Sequence, residues 1–106
     1  MLNKSFLLTI QSPKKTFFND QVSKITLRTE LGYMGLLANH TPIIAKLKEG
    51  NFEAVTEDKD NIRGTIKDGI VFFRDNEAIV LTNDIEIITS KNFNLFEVPE
   101  FKKEEQ

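Results

Sequence analysis

The stretch Gly32 to Gly50, GYMGLLANHTPIIAKLKEG, decides how the rest of the chain is read. It holds three of the five glycines, the only tyrosine, the only histidine and one of the three prolines. Apolar residues run into a tight corner, Ala38-Asn39-His40-Thr41-Pro42, and leave it in alternation: Ile43, Ala45 and Leu47 share one face, Ile44, Lys46 and Lys48 the other. That period of two predicts a strand, a turn and a strand. Pro42 cannot donate a ladder hydrogen bond and biases Thr41 toward extended backbone, so it suits the first position of a strand.

The same period continues on both sides. Phe6, Leu8 and Ile10 line one face of a first strand that ends at the polar turn Ser12-Pro13-Lys14-Lys15. Val22 to Thr29 follows, with Ile25 and Leu27 on one face and Lys24, Thr26 and Arg28 on the other, after a bulge or bend expected near Asn19-Asp20. Beyond Gly50, Phe52 to Thr56 and Ile62 to Lys67 flank the polar loop Glu57-Asp58-Lys59-Asp60-Asn61, and Asp68-Gly69 is a strong turn signal. Ile70-Val71-Phe72-Phe73 and Ala78-Ile79-Val80-Leu81, separated by the turn Arg74 to Glu77, are apolar at every position. Such runs predict burial on both faces, between two layers or beneath a partner, which makes these two the innermost strands. Turn signals every 8 to 12 residues or so, with few helical stretches, give an all-β fold: an antiparallel β-sandwich or partly closed barrel of about eight to ten short strands.

Composition bounds the function. A chain of 106 residues is one domain, with 14 Lys+Arg against 16 Asp+Glu and a net charge of −2, so nothing marks it for nucleic acid. Cysteine is absent, which excludes disulfides and thiol chemistry. No apolar run approaches the roughly 18 residues of a membrane span, and Met1-Leu2-Asn3-Lys4 leads into a strand rather than a signal-peptide core, so the chain reads as cytosolic without direct membrane insertion. His40, as the sole imidazole, rules out a multi-histidine metal site. Ser12 or Ser23 with His40 has no nucleophile-elbow context, and a turn histidine bonded to nearby backbone is the simpler reading. Glu57, Asp58 and Asp60 lack the spacing of a calcium loop, and Gly32-x-x-Gly35 lacks the third glycine of a phosphate-binding turn. No catalytic residue, metal or cofactor is therefore assigned.

A glycine, two residues, a second glycine, two residues, a small pair, then His-small-Pro and two apolar residues, closing on a basic residue and glycine, resembles the epsilon subunit of F-type ATP synthases. Here these are Gly32, Gly35, Ala38-Asn39, His40-Thr41-Pro42-Ile43-Ile44, Lys48 and Gly50, and the likeness runs from about Phe6 to Asp84, through Lys67 to Phe73 and Ala78 to Leu81. The resemblance implies a ten-stranded sandwich at residues 1–90, without catalysis of its own. It implies a place in the central stalk, peripheral on the cytoplasmic side of the cell membrane, beside the coiled-coil gamma subunit and against the proton-translocating c-ring, in a complex whose alpha and beta subunits carry catalysis. Carried over by position, the gamma contact includes His40, Thr41, Pro42, Ile43 and Ile44, and the ring-facing tip includes Ser12, Leu31 and Tyr33. The family often has acidic residues near the last two positions, so Leu31 and Tyr33 point to an apolar contact.

The last residues depart from the pattern. Family members usually add an alanine-rich helical hairpin that can inhibit ATP hydrolysis, whereas residues 91–106 form a short irregular tail in which Asn92 to Phe101 has no sustained 3.6-residue period and is interrupted by Pro99. The expectation is coupling without autoinhibition, with Phe93, Phe96 and Phe101 clamping the tail onto the sandwich or a neighbour. Two other readings stay open: an epsilon-like subunit of a divergent F-type-like ATPase that drives another machine, and a free-standing β-sandwich binding module.

Overall fold

The computed structural model describes residues 4–58 and 60–89. Its elements are β1 (Phe6–Gln11), β2 (Thr16–Thr29), β3 (Gly32–Leu37), β4 (Ile43–Leu47), β5 (Gly50–Thr56), β6 (Asn61–Ile66), β7 (Gly69–Arg74), β8 (Glu77–Leu81) and β9 (Ile85–Thr89). No helix occurs among the described residues. The strands pair in the order β1-β8-β7-β4-β2-β5-β6-β9, with β3 on β2 and a further pairing of β1 with β2. Neighbours are antiparallel except β1 and β8, which are parallel.

Because β1 returns to β2, the strands β1, β8, β7, β4 and β2 close on one another, while β3, β5, β6 and β9 extend a second layer. Alternate residues of each strand then meet in one core. Phe6, Leu8 and Ile10 of β1, Ile25 and Leu27 of β2, Phe52 and Ala54 of β5 and Ile62 and Ile66 of β6 are buried, as their period of two requires. Phe6 and Phe73 cross at the centre edge to face, with ring centroids 5.2 Å apart.

β2 serves both layers because extra residues bend it. Between β1 and β2 the register slips so that Phe17 has no partner, and between β2 and β5 it slips at Ser23. The bend expected near Asn19 is thus displaced to these two positions. Asn19 lies in the ladder opposite Thr9, and its Nδ2 donates to Thr9 Oγ1 at 2.8 Å, so a cross-strand partner satisfies it without a turn. Asp68-Gly69 does turn the chain, but as a crossover between layers: β6 pairs with β5 and β9, and β7 with β4 and β8. Gly69 sits at φ 149°, and a Cβ there would strike the Leu81 carbonyl oxygen.

The structure overturns the expectation that β7 and β8 lie between two layers of this chain's described residues. Val71, Phe73, Ala78 and Val80 point into the core, whereas Ile70 is 40% exposed and Leu81 36%, with Phe72 and Ile79 half-buried beside them. Both strands lie in mid-sheet, but this sheet has one core face and no described element covers the other. The expectations for the tail, including Phe93, Phe96 and Phe101, lie outside the described residues.

Candidate functional site

The corner joining β3 to β4 is built from backbone conformation and three local contacts. Asn39 adopts a left-handed φ of 67°, which asparagine tolerates better than most residues. This reverses the chain so that the His40 amide donates to the Leu37 carbonyl at 3.2 Å. The His40 ring is half-buried, packs edge to face on Phe73 at 5.7 Å, and holds Nδ1 2.7 Å from the Thr41 carbonyl oxygen. A carbonyl only accepts, so that contact places the ring proton on Nδ1. His40 is therefore the backbone-bonded turn histidine of the simpler reading, and Thr41 and Pro42 stand exposed beside it.

From this corner the two isoleucines diverge. Ile43 turns inward and packs against the core, while Ile44 points outward at 71% exposure. The register then builds an apolar face. Ile44 is opposite Phe72, Phe72 opposite Ile79, and on the next row Ile70 lies between Lys46 and Leu81. Ile44, Ile70, Phe72, Ile79 and Leu81 thus form one patch on the outer side of β4, β7 and β8, edged by Lys46 and Arg74. Sequence reasoning placed only Ile44 in a contact surface. The signal for the others was present: strands apolar at every position need cover on both sides, and no described residue covers one side here.

Ser12, Leu31 and Tyr33 lie at the opposite end. Gln11 pairs with Leu81, Leu81 with Ile70, and Leu47 with both Gly69 and Thr29, so the β1–β2 turn and the β2–β3 turn emerge together. Ser12 Oγ accepts from the Lys14 and Lys15 amides at 3.1 and 3.2 Å, which makes it a turn-former. In the other turn, the buried Thr29 Oγ1 donates to the Gly32 carbonyl at 2.9 Å and accepts from the Leu31 amide at 3.1 Å. That bracing holds Leu31 at 99% exposure, beside Tyr33 at 59% with the Arg28 guanidinium 5.8 Å from its ring centroid. Ser12 and His40, at opposite ends, cannot form a catalytic pair, and Ser23 lies within the sheet with Oγ donating to the Val55 carbonyl at 3.3 Å. Among the described residues, no group of three or more His, Asp or Glu side chains could hold a metal ion.

A family model of the ATP synthase Delta/Epsilon chain beta-sandwich domain matches residues 5–88. The chain belongs to that family. A sodium-ion-specific ATP synthase epsilon chain of Acetobacterium woodii is 32% identical over 83 residues, covering 78% of this chain and 62% of that protein. The ATP synthase epsilon chain of Chlorobium limicola is 31% identical over 83 residues, covering 78% of this chain and 94% of that protein. Apart from such short relatives, the chain spans about three fifths of the length of the epsilon chains it matches. Among solved structures, a chain of the Euglena gracilis mitochondrial ATP synthase OSCP/F1/c-ring complex superposes with a TM-score of 0.77 at 24% identity, over 82% of this chain and 56% of that one. A chain of the Tetrahymena thermophila ATP synthase central stalk and c-ring gives 0.61 at 17% identity, over 80% and 68%. At those identities the superpositions establish the shared fold. In this epsilon-type sandwich, then, the His40 corner and the Leu31 tip occupy opposite ends, with the apolar face between them on one side.

Proposed function

We propose that this chain is a non-catalytic central-stalk subunit of an F-type ATP synthase, peripheral on the cytoplasmic side of the membrane. It binds the gamma subunit through the His40 corner and the adjoining apolar face, and it meets the c-ring through the end that carries Ser12, Leu31 and Tyr33. The alpha and beta subunits of the complex supply the catalysis. The observation that carries this reading is the patch of Ile44, Ile70, Phe72, Ile79 and Leu81, which nothing among the described residues covers. A contiguous apolar surface on a small domain marks a site for a permanent partner.

Placing two contacts at opposite ends of a closed, hydrogen-bonded body suits the transmission of torque, because the strands between them connect the ends without a hinge. Asn92 to Phe101 has no sustained helical period and is interrupted by Pro99, so this segment is not assigned an inhibitory role in hydrolysis. Reconstitution tests this reading. With gamma, alpha and beta subunits of the same organism, the chain should co-elute as a stoichiometric member of the complex and leave ATPase turnover within about twofold. Failure to co-elute, or strong inhibition relieved by trimming residues 92–106, refutes it.

A further inference from the structure

The corner that carries His40 is also held from outside. Its left-handed residue, Asn39, donates its amide to Asn76 Oδ1 at 2.7 Å, and Asn76 Nδ2 donates in turn to the Ser5 carbonyl at 2.9 Å. One half-buried side chain, in the turn between β7 and β8, therefore ties three segments that are distant in sequence: the corner before β4, the β7–β8 hairpin and the lead into β1. Ser5 is anchored on its other side, with Oγ 2.8 Å from Gln21 Oε1 and 2.7 Å from Glu57 Oε2, and its hydroxyl donates to one of them at a time. The clamp thus ends on the sheet, not on a loose terminus.

The position of Asn76 favours this use. Asp75 and Asn76 both have positive φ, 53° and 60°, as the two-residue hairpin turn requires. Glycine meets that backbone demand at less cost than asparagine. An asparagine amide supplies what glycine lacks, an acceptor and a donor on one rigid plane, directed here to two different segments.

We infer that Asn76 is a positioning residue for the partner-binding corner: it sets the reversal at Asn39 and hence the stance of His40, Thr41 and Pro42 and the point at which Ile44 leaves the core. This inference rests on the functional reading above for its consequence, but the clamp is a property of the isolated chain.

The test compares Asn76→Gly with Asp75→Gly in the full 106-residue chain. Both keep the positive-φ turn, and only the first removes the clamp. Amide hydrogen exchange by NMR at Asn39 and His40 is expected to speed up about fivefold or more in Asn76→Gly, the scale of one hydrogen bond, and to stay at the wild-type rate in Asp75→Gly. Affinity for the gamma subunit of the same organism should fall several-fold in Asn76→Gly alone, and its thermal midpoint should lie below that of Asp75→Gly, as the loss of two hydrogen bonds requires. A role in the turn alone moves both variants alike and overturns the inference, as does unchanged exchange at Asn39 in Asn76→Gly. Faster exchange with unchanged affinity shows that the corner does not present the contact, and overturns the positioning role. If wild-type chain does not bind gamma at all, the functional reading fails, and the exchange comparison still decides whether Asn76 is the clamp.

Discussion

Ile43 and Ile44 are neighbours in sequence whose side chains have opposite duties, and replacing each by aspartate should separate folding from binding. Ile44 is 71% exposed in the free chain, so about seven tenths of its apolar surface remains to be buried on a partner. At roughly 2 to 3 kcal/mol for full burial of an isoleucine, that leaves about 1.5 to 2 kcal/mol of binding free energy. Ile44→Ala should therefore weaken gamma binding about tenfold. Ile44→Asp adds an unpaired carboxylate buried at the contact and should weaken it at least a hundredfold. Neither change should alter the isolated chain's unfolding free energy in urea by more than about 0.5 kcal/mol, the usual range for an exposed site. Ile43 packs against the core, so Ile43→Asp should cost the fold about 3 kcal/mol or more. Circular dichroism in urea reads stability, and titration calorimetry against purified gamma reads affinity. Binding by Ile44→Asp within threefold of wild type refutes the assignment of this face, and equal loss of stability in both variants refutes the inward and outward placement of the two side chains.

Three further outcomes follow from particular contacts. A Cβ at Gly64 would strike the Glu86 carbonyl oxygen and come within 2.9 Å of both Ile87 Cα and Phe52 Cε1, so Gly64→Ala should cost about 2 to 4 kcal/mol by forcing β9 from β6; a loss under 1 kcal/mol in urea shows that the strands can part cheaply. Thr29→Val keeps shape but deletes the two hydrogen bonds that brace the Leu31 turn, and should cost about 1 to 2 kcal/mol with faster amide exchange at Leu31; unchanged exchange there contradicts the bracing. Leu31→Glu, at 99% exposure, should leave the unfolding free energy within about 0.5 kcal/mol while reducing ATP-driven ion pumping by the reconstituted enzyme; full pumping argues that the tip does not touch the ring.

Most of the strands, though not β9 (Ile85–Thr89), were legible in the sequence, because a period of two is a local property: alternate side chains of an extended chain face opposite ways whatever they pair with. Phe6-Leu8-Ile10, Ile25-Leu27 and Ile62-Ile66 could be assigned to the core on that ground alone. The corner at Ala38 to Pro42 was equally legible, because Pro42 and Asn39 limit their own backbones. Runs without alternation could not be settled in this way. Ile70 to Phe73 and Ala78 to Leu81 have both faces apolar, and hydrophobicity states that cover is favourable without saying what provides it. Only the tertiary structure, by putting those strands in a sheet with a single core face, left Ile70, Phe72, Ile79 and Leu81 without cover among the described residues. The bulge at Ser23, the layer-crossing at Asp68-Gly69 and the hold of Asn76 on Asn39 are also beyond local pattern. Each depends on hydrogen bonds between residues far apart in the chain, whose pairing is chosen by the packing of the whole sandwich.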